Sequence, residues 1–214
     1  ASTTHLYVFV SYFFNLIFGK EHFIYPLLIF NSILFTFGSY LLSKLILKNP
    51  VHQAIFIFLF GILPPSITIS ILGMEYGILF FLEMALLYFG FKQNKIWAQI
   101  LFPILILFTR IDTVIFLGIV FLVDIIWNKK IRWFYILGGI LGVVVLMSFN
   151  WFYFGELVNN TIVAKSVTYA KNMSLALQWK YFLMNYGNFW GMLKLPGDFN
   201  PFTILVLVFE FLAF

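Results

Sequence analysis

Arg110 and Asp112, with only Ile111 between them, interrupt a largely apolar stretch that runs from Ile96 to Trp127. Ionised side chains in such a stretch cost about 3 kcal/mol each unless they are paired or hydrated, so the two residues need a reason to be there. One reason is structural, an ion pair that closes a tight helical hairpin. The other is chemical: Arg110 offers a planar donor fork to a phosphate while Asp112 orients it or holds a cation. Glu75 lies in Leu72-Gly73-Met74-Glu75-Tyr76-Gly77, where glycines allow close backbone approach. It suits three tasks, as acceptor for a sugar hydroxyl, as metal ligand or as base. Glu83 and Asp124 also fall in apolar runs; Asp124 can reach an interface near Trp127, whereas Glu83 needs a protein partner or a proton. His5, His22 and His52 are too scattered for a metal triad, and the absence of Cys removes disulfides and thiolate metal sites.

The elements that position these residues are set by an unusual composition. The chain has 214 residues, 63% hydrophobic and only 10% charged. Soluble domains carry about a quarter charged residues, so most of this chain has lipid as its solvent. Thirty Phe exclude a disordered chain, which would collapse in water. The formal net charge of +5 does not indicate nucleic acid, because the Lys and Arg residues are dispersed between apolar runs and form no stripe with interleaved aromatics.

A bilayer core of about 30 Å needs roughly 20 helical residues. The candidate runs are Leu6 to Phe18, short enough to be interfacial or tilted, then Phe23 to Leu47, Ala54 to Leu72, Tyr76 to Phe91, Ile96 to Phe108, Thr113 to Trp127 and Trp133 to Phe154, with another starting at Phe202. The expected fold is therefore all-α, a polytopic transmembrane bundle of about seven to eight membrane segments. Residues 1–154 form its core, 155–201 an amphipathic outer loop carrying Trp179, Tyr181, Trp190 and several Lys, and 202–214 the start of a further helix. The chain opens without an initiator Met and ends inside an apolar run, so it reads as a piece of a longer protein.

Lys44 with Lys48, Lys92 with Lys95, and Lys129, Lys130 with Arg132 fall in three short loops free of acids, as cytoplasmic loops do. Alternation then puts Glu21, Glu75, Arg110, Asp112, Glu156, Lys165 and Asp198 on the opposite, outer side. Ile96 to Phe108 rises only about 20 Å, which sinks Arg110 and Asp112 below the outer surface. Charged, irregular backbone at that depth is tolerated where it lines a watery cavity, so a polar funnel open to the outside is expected. Pro64-Pro65 should kink or break its helix, and Gly138 with Gly142 makes a small-xxx-small pair suited to helix packing.

The order of four motifs carries a resemblance: Thr3-Thr4-His5-Leu6-Tyr7, Gly73-Met74-Glu75, Thr109-Arg110-Ile111-Asp112, and Tyr153-Phe154-Gly155-Glu156 continuing through Asn159-Asn160-Thr161 to Ala164-Lys165. Together they resemble the polytopic GT-C glycosyltransferases, most closely the branch of the mycobacterial terminal arabinofuranosyltransferases, over most of residues 1–170. Ile111 replaces the Pro usual in the Thr-Arg-Pro-Asp motif, and Asn159 stands where that branch has another Pro.

The resemblance implies transfer of a sugar from a polyprenyl-phosphate donor to a glycan or lipid acceptor at the outer face of a bacterial cytoplasmic membrane. It implies that Arg110 and Lys165 hold the donor phosphate, and that Asn160, Thr161, Thr4 and His5 add substrate contacts. Glu75 and Asp112 would shape the sugar site as catalytic carboxylates, the principal base lying upstream of Ala1. A divalent cation, Mg or Mn, is an optional cofactor. The rival reading is a transporter or flippase for a lipid-linked or small anionic substrate, drawn from Glu83, Asp124 and the Pro-broken span. A third is a scaffold without catalysis.

Overall fold

The structure, a computed structural model, describes residues 4–63, 66 and 75–155. Every regular element among them is helical. They are α1 (His5–Phe18), α2 (Ile24–Ile46), α3 (Pro50–Ile62), α4 (Tyr76–Ala85) running on into a π-helical segment (Leu86–Lys92), α5 (Ile96–Thr109), a 3-10 turn (Ile111–Thr113), α6 (Val114–Asn128) and α7 (Trp133–Phe154). The expected outer loop and the helix from Phe202 lie outside the described residues.

Local chemistry accounts for the boundaries. Asn49 caps α3 by accepting from the Val51 amide at 2.9 Å, and Pro50 occupies the first turn, where its missing N–H is not needed. This helix stops at Ile62, and Leu63 is extended (ψ 133), as the residue before a proline prefers. Pro64 and Pro65 themselves lie outside the described residues. Past Ala85 the helix widens, and the Gln93 amide reaches back five residues to the Tyr88 carbonyl. Gly155, at φ 73, ends α7 in the left-handed conformation that glycine adopts without strain.

Three helical stretches, Ile24–Ile46, Ile111–Asn128 and Trp133–Phe154, are long and apolar enough to cross a membrane, and α1, α3 and α5 are shorter apolar helices. Their outer faces are apolar as well. On α6, for instance, Ile115, Ile119, Leu122 and Ile126 are all exposed, a contiguous apolar surface that water would penalise and lipid would not.

Small residues bring the helices together. A Cβ on Gly138 would meet the Gln99 carbonyl at 2.6 Å and the Ile100 Cα at 2.8 Å, and one on Gly142 would meet the Leu107 side chain at 2.8 Å, so α7 lies backbone to backbone against α5. Pro103 contributes to the same contact. Lacking an N–H, it cannot bond the Gln99 carbonyl four residues back, and that carbonyl is the one facing Gly138. Gly77 performs the same service between α4 and α2, with the Asn31 carbonyl 2.5 Å from where a Cβ would stand. Leu82, Ala85, Leu86, Ala98, Ile106 and Leu107 fill the core between these pairs.

The loops sort to two ends. Lys92 donates to the Lys44 carbonyl and Arg132 to the Asn94 side chain, which gathers the three basic loops at one end of the bundle. Arg132 also bonds the buried Asp124 at 2.9 Å, so Asp124 is paired from the loop just after its own helix. The opposite end holds Glu75, Arg110 and Asp112. There α1 lies across the bundle instead of along it. Its first residues touch the end of α5 and the last third of α7 (His5 to Phe108 at 5.6 Å, Phe9 to Phe149 at 5.7 Å), while Phe14 meets Phe30 near the start of α2 at 5.3 Å. Of the candidate membrane runs among the described residues, this is the one that stays at a single end.

Candidate functional site

Thr109 ends α5, and Arg110 follows in an extended conformation (φ −150, ψ 128) that breaks the helix before the 3-10 turn. Thr113 braces the break: its hydroxyl donates to the Arg110 carbonyl at 2.5 Å, and its backbone amide donates to the same carbonyl at 3.3 Å. The extended backbone turns the Arg110 side chain toward α4, where the residue just before the first turn is Glu75.

The result is a three-residue ion cluster. Arg110 Nη1 donates to Glu75 Oε1 at 3.0 Å. Its Nε and Nη2 donate to the two oxygens of Asp112 at 2.9 and 2.5 Å, a fork-to-fork pair. The Tyr76 ring lies beneath, 5.8 Å from the guanidinium carbon. The Asp112 bonds hold the Arg110 pKa above its ordinary value against the opposing effect of burial, so this group stays charged at every working pH. Two carboxylates against one guanidinium leave the cluster with a net charge of −1.

Exposure divides the two acids. The Glu75 side chain is 11% exposed and faces protein, whereas that of Asp112 is 57% exposed and faces outward. The cluster also sits below the rim. Phe108 meets Phe149 edge to face at 5.4 Å, and α7 continues five residues beyond Phe149, a further rise of about 8 Å. Three carboxylate bonds and one to the Tyr76 side chain use four of the five N–H groups of a guanidinium, and one remains for another acceptor.

Of the other expected site residues, Thr4 and His5 begin α1. Thr4 is buried, and its carbonyl accepts from the Val8 amide at 3.2 Å. His5 is buried, bonds the Asn150 side chain, and stands among Phe108, Phe149 and Phe154. It therefore belongs to the aromatic wall of a groove of about 520 Å³ between α1 and the end of α7, and not to the ion cluster. Asn160, Thr161 and Lys165 lie outside the described residues. Glu83 lies two turns further along α4 from Glu75 and within Coulombic reach of Asp112, so the structure brings it nearer the cluster than its position inside an apolar run indicates. Among the described residues no three His, Asp or Glu side chains gather as a metal-binding set, and Glu75 and Asp112 both turn to Arg110.

Sequence reasoning overlooked Tyr7, which feels the Glu75 charge, and Tyr76, Thr113 and Asn150. Tyr76 and Thr113 each adjoin a residue already singled out, and that adjacency was the available signal. Tyr7 and Asn150 reach the site only through the packing of α1 across α5 and α7. No protein-family model matches the chain, and no curated protein or solved structure is detectably similar to it.

Proposed function

We propose that the protein is a polytopic membrane glycosyltransferase of the GT-C kind. It moves a sugar from a polyprenyl-phosphate donor to a glycan or lipid acceptor at the extracytoplasmic face of a bacterial cytoplasmic membrane. The observation that carries this reading is the meeting of Glu75, Arg110 and Asp112, from two helix ends, at the end of the bundle opposite the basic loops. With those loops in the cytoplasm, the cluster faces outward. Seven or eight segments engage the membrane in this reading, α1 as an interfacial helix.

The proposed chemistry is a displacement at the anomeric carbon. An acceptor hydroxyl attacks that carbon, the bond from carbon to phosphate oxygen breaks, the phosphate departs with the electron pair, and the hydroxyl proton passes to a carboxylate. Charge grows on the leaving phosphate, and the remaining N–H of Arg110 would stabilise it, with Lys165 as the second donor that the motif resemblance implies. Asn160, Thr161, Thr4 and His5 complete the substrate contacts.

The test uses full-length protein in proteoliposomes with a radiolabelled polyprenyl-phosphate sugar and an acceptor glycan. Label should pass covalently to the acceptor. Movement of intact donor across the bilayer without a covalent product would instead make the protein a flippase or transporter. If transfer and every other measured property survived simultaneous neutralisation of Glu75, Arg110 and Asp112, a scaffold would be left.

A further inference from the structure

The helix α6 stands off from the bundle. Among the described residues only the 3-10 turn leading into it approaches it closely, and of its own residues only Leu117 and Asp124 are buried. It is tied at its basic end by the Asp124–Arg132 pair and in the middle by Tyr135, whose hydroxyl donates to the Leu117 carbonyl at 2.7 Å. Between these ties and α7 runs a slot of about 490 Å³, walled by Gly118, Phe121, Tyr135, Gly139 and Val143. Among the described residues nothing lies within 4 Å of where a Cβ would stand on Gly118 or Gly139, unlike Gly138 and Gly142 on the same helix as Gly139.

We propose that this slot binds one anionic phospholipid of the leaflet on the basic side, its acyl chain between α6 and α7 and its headgroup on Lys129 and Lys130. Three observations select that occupant. The walls, Tyr135 to Val144 on α7 and Val114 to Phe121 on α6, are apolar, and the α7 wall alone rises about 14 Å, long enough to lie along an acyl chain. The turn that joins the two walls carries the exposed Lys129 and Lys130, and no acid lies in that turn. Trp127 and Trp133, 83% and 71% exposed, flank the turn at the level where tryptophans meet headgroups. An acyl chain matches the apolar walls and a phosphate matches the lysines, in one molecule. The inference goes beyond the transferase reading and requires only that the chain sits in a membrane.

The test is native mass spectrometry of the delipidated full chain titrated with phosphatidylglycerol or phosphatidylcholine of the same acyl composition. Phosphatidylglycerol should bind more tightly, and Lys129→Asn with Lys130→Ser should weaken it by about fivefold per lysine. Asn tolerates the left-handed backbone of position 129, so the loop keeps its shape. Gly118→Leu and Gly139→Leu, at positions where a Cβ meets no described atom within 4 Å, put bulk into the slot and should abolish the tight mode. Equal binding of both lipids, or unchanged binding by the filled variants, overturns the proposal. A phosphatidylglycerol with a photoreactive acyl chain should label α6 and α7; label confined to other helices, or binding blocked by a second copy of the chain in the slot, also overturns it.

Discussion

Arg110 is held by two carboxylates of unequal exposure, and the inequality makes them separable by mutation. Glu75 faces protein at 11% exposure, so Glu75→Gln leaves a partly buried guanidinium with a weaker partner and should lower stability by about 1–3 kcal/mol, read as a thermal midpoint in detergent. Asp112 is 57% exposed, and water replaces much of what Asp112→Asn removes; its cost should stay under about 1 kcal/mol. Arg110→Lys keeps the charge but loses the planar fork, so it should behave more like a deletion than a conservative change. That Arg110 and Asp112 need a partner was legible, because an ionised residue in an apolar run announces its own cost. Which of the two tasks Arg110 performs was not legible, since that depends on the extended break and the Thr113 brace that aim its side chain.

At the scale of elements, adjacent glycines on α7 make the sharpest contrast. Gly138→Ala drives a methyl into the Gln99 carbonyl and should cost about 1–3 kcal/mol, whereas Gly139→Ala faces open space and should be neutral or stabilising; paired thermal unfolding curves check this. The spacing of Gly138 and Gly142 was enough to expect helix packing, because small residues four apart form a stripe on any helix; that α5 is the partner was not legible. The π-helical widening after Ala85 carried no such signal. It arises where the Gly90 carbonyl accepts from the buried Gln99 amide at 2.9 Å, a contact between two helices that no local pattern encodes. The pairing of Asp124 with Arg132 was half legible: the interface was expected, the partner was not. Arg132→Ala should leave the Asp124 carboxylate, 6% exposed, with the Asn128 amide at 2.7 Å and no counter-charge, and cost about 3 kcal/mol in the same assay.

For the whole molecule, two ends of opposite character follow from one rule of charge. Lysines in three acid-free loops marked one end in the sequence, and the bonds from Lys92 to Lys44 and from Arg132 to Asn94 draw those loops together. The chain contains no Cys, so single-cysteine variants report sidedness cleanly. In intact cells a membrane-impermeant maleimide should label Glu21→Cys from outside and reach Lys95→Cys only after permeabilisation; the reverse pattern would invert the topology. The place of α1 across the bundle was less legible, because a run of this length fits an interfacial helix and a tilted one equally, and only its contacts with Phe108, Phe149 and Phe30 decide. The standing-off of α6 left no mark in the sequence at all, since an apolar helix facing lipid and one facing protein share a composition. The central claim concerns the ion cluster and the phosphate it is proposed to hold, and the most direct measurement is the rate of sugar transfer from a saturating polyprenyl-phosphate donor by full-length wild type and Arg110→Ala. A loss of about a hundredfold or more is the expected result, as for removal of one donor to a developing oxyanion; transfer by Arg110→Ala at the wild-type rate would contradict it.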